Sequence, residues 1–130
     1  MKVVLDTCAV VWAVSEADRL SPRAREVLED ESTEVLVSPI SCAEIACAAA
    51  RHRLVLDRHW RQWFRHYVFL NDWTTVPVSL SIIEEAYSLP EDFHRDPADR
   101  IIVGTARQQG CPVVTADAKI IGYPHVSTIW

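Results

Sequence analysis

Short apolar runs alternate along the chain with longer stretches in which apolar residues recur at helical spacing. The first run, Val3-Val4-Leu5, is apolar at every position, which is typical of a parallel strand buried on both faces of a sheet. The later runs are also short and rich in β-branched residues. The pattern therefore predicts five strands, over residues 3–5, 34–37, 75–78, 113–115 and 126–129.

Helix signals occupy the stretches between these runs. Ser21-Pro22 is typical of a helix start, because a capping serine is followed by proline at the first helical position. Gly110 indicates a helix end, since glycine readily adopts the left-handed conformation found just past the last turn. The predicted helices cover residues 9–16, 22–28, 41–50, 57–69, 79–89 and 97–109.

Strands separated by helices of this length indicate βαβ units and a parallel sheet with helices on both faces. Right-handed crossovers then bring the carboxyl ends of all the strands to one edge of the sheet. Ligand sites of open α/β sheets lie at that edge. We therefore expect one α/β domain over residues 1–130, with its chemistry in the residues that directly follow the strands.

Composition and charge narrow the class of protein. The 130 residues are 49% hydrophobic and 24% charged, which is enough apolar material for a packed core, and the formal net charge is −5. An acidic chain is a poor candidate for bulk binding of nucleic acid, because affinity for phosphates needs facing positive charge. No signal peptide or membrane span is evident. The four cysteines lack zinc spacing and are expected to pack as reduced thiols in a soluble, cytoplasmic protein.

Acidic residues follow several predicted strands or begin the helices after them. They are Asp6, Glu44, Asp96, Asp99 and Asp117. Carboxylates gathered at one edge repel one another, and some of them would have to bind protons. A hard divalent cation such as Mg²⁺ or Mn²⁺ removes that repulsion and leaves positions for a substrate phosphate. The sequence therefore predicts a metal site that hydrolyses phosphodiesters.

Each acid except Asp6 also has an explanation as a helix cap. Ser41 and Glu44 have the spacing of a capping box, with Ser41 at the N-cap. Asp96 precedes Pro97 as an N-cap, and Asp117 is placed to cap a short turn over residues 118–121. Taken singly, Glu44 and Asp96 favour the capping role, whereas the convergence of all five acids favours the metal site.

A basic and aromatic segment lies between residues 51 and 66. It carries a net charge of +4, which leaves −9 for the rest of the chain, and its arginines are Arg51, Arg53, Arg58, Arg61 and Arg65. The aromatic residues fall at the i, i+3, i+4, i+7 spacing of a packed helix face, so we expect them mostly in the core or an interface. The arginines are the candidates for contact with RNA phosphates or with a partner.

Four segments, in this order and spacing, resemble the PIN-domain ribonucleases. They are Val3-Val4-Leu5-Asp6-Thr7, Ser41-Cys42-Ala43-Glu44-Ile45-Ala46, His94-Arg95-Asp96-Pro97-Ala98-Asp99-Arg100 and Val114-Thr115-Ala116-Asp117. The His-x-Asp-Pro-x-Asp-Arg segment is similar to that of VapC-type toxins from bacterial toxin–antitoxin pairs. The resemblance implies a PIN-like three-layer α/β/α fold with a central, mainly parallel sheet of about five strands. It covers nearly the whole chain.

The resemblance also implies Mg²⁺- or Mn²⁺-dependent endoribonuclease activity on structured cellular RNA. By position, Asp6, Glu44, Asp99 and Asp117 match the acidic quartet of the family. Asp96 matches an additional acid of the subgroup, expected at the edge of the site. Thr7 and Thr115 match hydroxyl positions expected to orient the carboxylates.

Partners follow from the resemblance as well. It implies a cognate antitoxin, whose carboxyl-terminal segment would dock on helices near the basic segment, and a homodimer. His94 could donate to a phosphate, although a histidine just before a helix cap is more often structural.

Two alternatives stay open: an RNA-processing PIN nuclease that is not a toxin, and an inactive PIN-like binding module. A phosphoryl-accepting receiver domain is disfavoured, because a single acid, Asp6, ends the first strand.

Overall fold

The computed structural model describes residues 1–130, which form five strands and seven α-helices. In chain order these are β1 (Lys2–Leu5), α1 (Thr7–Ser15), α2 (Pro22–Glu29), β2 (Glu34–Val37), α3 (Pro39–Ala50), α4 (Trp60–Leu70), β3 (Thr74–Thr75), α5 (Leu80–Ala86), α6 (Pro97–Gln109), β4 (Val113–Val114), α7 (Ala118–Ile121) and β5 (Thr128–Ile129). A 3-10 turn over Ala17–Arg19 separates α1 from α2.

The five strands form one sheet in the order β3-β2-β1-β4-β5, and every neighbouring pair is parallel. The predicted parallel α/β architecture is confirmed. The strands β3, β4 and β5 are two residues each and therefore shorter than the predicted runs. One reason is local: Pro77 falls within the predicted third strand and has no N–H to donate to a ladder.

Side chains of the central strand β1 alternate between the two faces of the sheet. Val3 and Leu5 belong to the larger core cluster, which includes residues of α1, α2 and α4. Val4 belongs to a second cluster with Ile102 and Ala106 of α6. Because successive strand residues point to opposite faces, an unbroken apolar run supplies both layers. This gives the three-layer arrangement expected from the sequence.

Several helices begin at other residues than predicted. Helix α1 starts at Thr7, not at residue 9, because Asp6 caps it by accepting a hydrogen bond from the backbone N–H of Ala9. Helix α3 starts at Pro39 behind its cap Ser38, so the prediction of a start at Ser41 was wrong. The predicted start of α6 at Pro97 and its end at Gly110, with φ +64°, are confirmed.

The predicted packing of the aromatic helix face is confirmed. Helix α4 buries Trp63 and Phe64 in the larger core cluster, and the half-buried Trp60 and Tyr67 pack against the same cluster. The helix starts at Trp60 rather than near residue 57, with His59 as its cap. The basic residues 51–58 therefore all lie before it.

The cysteines are unpaired, but they are less buried than expected, since Cys8 and Cys47 are exposed. None of the helices has both the length and the apolar character needed to span a lipid bilayer.

Helices α5 and α6 approach each other most closely at Gly104. A Cβ atom at this position would lie 3.0 Å from the backbone nitrogen of Ala86 and 3.1 Å from its Cα and Cβ. Backbone atoms cannot move aside as a flexible side chain can. A side chain at position 104 would therefore require α5 to shift by a few tenths of an ångström.

We predict that Gly104→Val lowers the free energy of unfolding by about 1–3 kcal/mol, because overpacking forces the two helices apart. Urea unfolding measures the change. Glu84→Ala, at an exposed position of α5 without a side-chain partner, is the matched control and should change stability by no more than about 0.5 kcal/mol. Equal stability of Gly104→Val and the unaltered protein would contradict the packing argument.

Candidate active site

All five acids singled out from the sequence line one cavity of about 490 Å³ at the carboxyl edge of the sheet. Asp6 directly follows β1, Asp117 lies just after β4, and Glu44 projects from α3. Asp96 and Asp99 stand at the start of α6. The structure thus brings together residues that are up to 111 positions apart in the sequence, counted from Asp6 to Asp117.

Asp6 is the most deeply buried of these carboxylates, with 6% of its surface exposed. Its Oδ1 accepts a hydrogen bond from the backbone N–H of Ala9 at 2.8 Å, and its Oδ2 accepts one from the hydroxyl of Thr115. Burial raises the pKa of Asp6 above its ordinary value, and this effect outweighs the two hydrogen bonds that lower it. The expectation that Asp6 has no capping role was wrong, since it caps α1.

Glu44 is held by a hydroxyl from another helix. Thr7 of α1 donates its hydroxyl proton to Glu44 Oε1, and the hydroxyl of Ser41 lies 2.9 Å from that of Thr7. Because Thr7 has one hydroxyl proton, it accepts from Ser41 while it donates to Glu44. The predicted capping box of Ser41 and Glu44 is absent, because α3 begins at Pro39, which places Ser41 and Glu44 inside the helix.

Asp99 has the most strongly perturbed ionisation in the cavity. Partial burial, followed by repulsion from Asp96, Asp117, Glu44 and Asp6, raises its pKa to about 7. His94 Nε2 lies 3.0 Å from Asp99 Oδ2, yet the ring is not aligned for a hydrogen bond. A carboxylic acid that titrates near neutrality changes charge in the range where an enzyme works.

Asp96 and Asp117 each cap a helix with one oxygen. Asp96 Oδ1 accepts hydrogen bonds from the N–H groups of Ala98 and Asp99, at 2.9 and 3.2 Å. Asp117 Oδ1 accepts one from Lys119 at 2.8 Å. The second oxygen of each carboxylate takes no hydrogen bond, so capping leaves it available to a ligand.

Thr115 connects two of the acids. Its hydroxyl donates to Asp6 Oδ2 and accepts the backbone N–H of Asp117 at 3.0 Å. Thr115 is fully buried, so its hydroxyl has no water to exchange with. The structure therefore places both predicted threonines, Thr7 and Thr115, on carboxylates of the cavity. Their proposed effect on catalysis stays a prediction.

No lysine or arginine lines the cavity, whose remaining lining residues are Thr7, Cys8, Trp12, Ala48 and Ala116. Partial desolvation of the sulfur, on a residue that is otherwise exposed, raises the pKa of the Cys8 thiol, and repulsion from the acids raises it further. With the side chains as they lie in the structure, no three His, Cys, Asp or Glu groups are arranged so that they could coordinate one metal ion. Binding of a cation would therefore require side-chain rotation.

The five predicted arginines lie outside the acidic cavity, and all are exposed. Arg58 pairs with Asp57 at 3.2 Å. Arg61 and Arg65 line a separate groove of about 790 Å³ with Trp60, Phe64 and Trp73. The basic segment and the acidic cavity are thus different surfaces.

Sequence reasoning did not single out Cys8, Trp12 or Ala48. A helical signal was present, because Trp12 follows Cys8 by four residues and Ala48 follows Glu44 by four. Residues at this spacing share a helix face, so extending the helix from Glu44 would have found Ala48. No acid stands at this spacing before Cys8 or Trp12, and these two are linked only to each other.

The fold and the site together define an α/β protein with a carboxylate-lined site at the carboxyl edge of a parallel sheet. The PIN domain family model matches residues 3–125. The chain therefore belongs to the PIN domain family, and the resemblance named from the four sequence segments is confirmed.

One curated relative is Ribonuclease VapC22 of Mycobacterium tuberculosis (strain ATCC 25618 / H37Rv), 33% identical over 133 residues that cover 98% of both chains. Two solved structures share the fold. VapBC2 from Rickettsia felis bound to a promoter DNA fragment matches with a TM-score of 0.71 and 16% identity, covering 98% of this chain and 97% of that one. A toxin–antitoxin complex from Klebsiella pneumoniae matches with a TM-score of 0.66 and 22% identity, covering 97% and 96%.

The raised pKa of Asp99 predicts an unusual dependence of stability on pH in metal-free buffer. The folded protein keeps the Asp99 proton up to about pH 7, whereas the unfolded chain loses it near 3.8. The folded state therefore binds more protons between these values, so the free energy of unfolding falls as pH rises from about 4 to about 7 and then levels off.

Asp99→Asn should make this slope shallower without abolishing it, because the pKa of Asp6 is raised as well. It should also leave the protein more stable at about pH 8, by roughly 1–3 kcal/mol after solvent screening at the open cavity. Chemical unfolding at several pH values measures both effects. Asp18→Asn, at an exposed acid of the 3-10 turn, is the control and should keep the slope. An unchanged slope in Asp99→Asn would contradict the repulsion argument.

Proposed function

We propose that this chain is a divalent-metal-dependent endoribonuclease, and that it is the toxin of a toxin–antitoxin pair. The observation that carries the proposal is the convergence of five carboxylates on one cavity that no lysine or arginine lines. The name of the relative, Ribonuclease VapC22, supports ribonuclease activity and the VapC-type group that residues 94–100 resemble.

The donor set fits a hard cation such as Mg²⁺ or Mn²⁺. Carboxylate oxygens are the ligands these ions prefer. Partial burial and then repulsion from the other acids raise the pKa of Asp99 to about 7, and a bound cation would relieve that repulsion. Asp6, Asp99 and Asp117 would hold the ion, and Glu44 would bind a second ion or position the attacking water. Asp96 stands at the edge, where its free oxygen would accept from water.

When bound, the cation supplies positive charge that offsets the negative charge developing on the phosphate and makes water more acidic. Glu44 Oε2 takes no hydrogen bond from the protein, so it is free to orient a water molecule by accepting its proton. In an in-line displacement the water oxygen would form a new bond to phosphorus as the opposite ester P–O bond breaks, with Glu44 taking a proton from the water and the departing ester oxygen taking one from solvent. Thr7 and Thr115 keep Glu44 and Asp6 in their orientations during this step.

A partner site is proposed in the groove lined by Arg61, Arg65, Trp60, Phe64 and Trp73. Its aromatic floor and two exposed arginines suit an amphipathic segment with acidic residues. We propose that the cognate antitoxin docks there, and that the chain acts as a homodimer, as the sequence resemblance implies. The RNA substrate would instead meet the acidic cavity.

Asp6→Asn and Asp99→Asn should lower cleavage of RNA by about 10- to 100-fold or more, because each removes a charge that would hold the cation. Asparagine is as good an N-cap as aspartate, so Asp6→Asn keeps the α1 cap while it loses the charge. The measurement is cleavage of total cellular RNA by purified protein with Mg²⁺, with Mn²⁺ and with EDTA.

Asp18→Asn is the matched control and should cleave as the unaltered protein does. In the same samples, Mg²⁺ or Mn²⁺ should raise the Tm of the unaltered protein, because a ligand of the folded state alone stabilises it. If no condition gives cleavage and neither ion moves the Tm, the acids serve as helix caps. The binding-module alternative then replaces the nuclease.

The toxin role predicts that induced expression in a bacterial host without the antitoxin arrests growth, and that Asp99→Asn expressed to the same level does not. Growth curves and viable counts measure the effect. A protein that cleaves RNA in vitro but leaves growth unchanged would favour the RNA-processing alternative over the toxin.

A further inference from the structure

The face of α3 that lines the acidic cavity continues to an arginine. Glu44 and Ala48 line the cavity and are four residues apart on this helix. Arg51 follows Glu44 by seven residues, so it stands about 10 Å farther along the helix axis and only about 20° away around it. The helical register holds as far as Arg51, because its backbone N–H donates to the Cys47 carbonyl at 3.1 Å. Arg51 therefore extends the cavity-lining face beyond the carboxylates.

Helix α3 ends directly after Arg51, in the hydrogen-bond pattern of a Schellman motif. The N–H of His52 donates to the Ala49 carbonyl at 3.1 Å, and His52 has a left-handed backbone conformation with φ +56°. The N–H of Arg53 donates to the Ala48 carbonyl at 2.9 Å. Arg51 is exposed and takes part in none of the ion pairs of the protein. It is therefore an unpaired cation whose backbone is held at the end of this face.

A second arginine lies beside the part of the cavity that α1 forms. Trp12 lines the cavity from this helix, and the guanidinium of Arg19 lies 4.6 Å from the centroid of its ring. Arg19 also pairs with Glu16 at 3.1 Å, but both side chains are more than half exposed. Exposed ion pairs contribute little stability, so a phosphate can replace the Glu16 carboxylate at little cost. The cavity thus has an arginine just outside it on α3 and another beside its α1 face.

An RNA strand that enters the cavity brings several phosphates and meets carboxylates but no cationic side chain. A divalent cation held by the acids would neutralise the phosphate in contact with it. The neighbouring phosphates lie within about 10 Å of the carboxylates, the range of charge interactions at about 0.1 M salt. They therefore need cations of their own. Arg51 stands about 10 Å from Glu44 along α3, which is the length of about three nucleotides at about 3.4 Å each.

We propose that Arg19 and Arg51 bind backbone phosphates that flank the cleaved phosphodiester of the RNA. The inference rests on the proposed ribonuclease function and adds a binding site for its substrate outside the cavity. Contacts to phosphates fix the position of a nucleic acid without reading its sequence, so this site supplies affinity and register. Neither arginine lines the aromatic groove of Arg61 and Arg65, where the partner protein is proposed to dock.

Binding is measured in an Asp99→Asn background, so that it is followed apart from cleavage. The probe is a short fluorescein-labelled unstructured RNA, titrated between about 50 and about 200 mM KCl at one low concentration of Mg²⁺. Arg19→Gln and Arg51→Gln should each raise the Kd about 5-fold near 0.1 M salt, as expected for one lost phosphate contact. Each should also make the slope of log Kd against log salt concentration shallower by about 0.7, and the double variant by about 1.4.

Two controls separate a phosphate contact from a change of net charge or of structure. Arg51→Lys keeps the positive charge and should bind RNA nearly as tightly as the parent. Lys2→Gln removes one positive charge at the amino end of β1, the opposite end of that strand from Asp6, and should leave the Kd and the slope unchanged. Thermal unfolding verifies that each variant is folded.

Three results would overturn the proposal. The first is absence of RNA binding by the parent. The second is an equal Kd and slope in the parent and the double variant, which would leave both arginines to a partner protein. The third is a loss of binding in Lys2→Gln as large as in Arg51→Gln, which would trace the effect to net charge.

Uncharged methylphosphonate linkages locate the contacts along the RNA. One such linkage is placed at a time, and at a position bound by Arg51 it should weaken binding by the parent about 5-fold. At that position it should cost Arg51→Gln little, because the partner of the phosphate is already absent. If the linkages weaken the parent and Arg51→Gln equally at every position, Arg51 contacts no phosphate.

A cleavage assay separates this inference from the proposed function. In the active protein, the double variant of Arg19 and Arg51 should raise KM with little change in kcat, because the flanking contacts hold the substrate before and during the reaction. Arginine-dependent binding without any cleavage would refute the nuclease alone. Cleavage with unchanged KM and Kd would refute the phosphate site alone.

Discussion

Repulsion among five carboxylates at one edge of the sheet is the constraint on which the surrounding structure depends. Three of these side chains, Asp6, Asp96 and Asp117, accept backbone N–H groups at the starts of α1, α6 and α7. The partial positive charge of a helix N-terminus favours an anion at that position. The sheet topology that brings the acids together therefore also places helix N-termini beside three of them. These N-termini stabilise the carboxylates in the absence of a cation.

Helix capping and ligand binding are therefore compatible uses of the same carboxylates. A cap needs one oxygen, and Asp96 and Asp117 each keep the other without a hydrogen bond. Glu44 is also held through one oxygen, by Thr7. The protein thus fixes Asp96, Asp117 and Glu44 through one oxygen and leaves the other without a hydrogen bond, whereas both oxygens of Asp6 accept hydrogen bonds. Helix capping alone requires neither these unbonded oxygens nor the gathering of acids that contributes to the raised pKa of Asp99.

Short-range sequence signals predicted the strand and the helix ends that depend on neighbouring residues alone. The apolar run of β1, the start of α6 at Pro97 and its end at Gly110 all follow from their own sequence. The contacts of the site do not, because Thr7 reaches Glu44 across 37 positions and Thr115 reaches Asp6 across 109. The start of α3 was misplaced because Ser41 and Glu44 mimic a capping box, while Ser38 and Pro39 form the actual start. Only the tertiary structure distinguishes the two.

The separation of charge over the surface has a consequence for how RNA would reach the site. The arginines of residues 51–65 are exposed but line no part of the acidic cavity, and the remainder of the chain is strongly acidic. Long-range attraction would therefore bring a polyanion to the basic segment first. Passage of a phosphate into the cavity would then depend on a bound cation. Under the proposed function, the groups that attract RNA and those that would hold it for cleavage lie on different surfaces. A partner that covers the basic segment would then block the approach of RNA without contacting any carboxylate of the cavity.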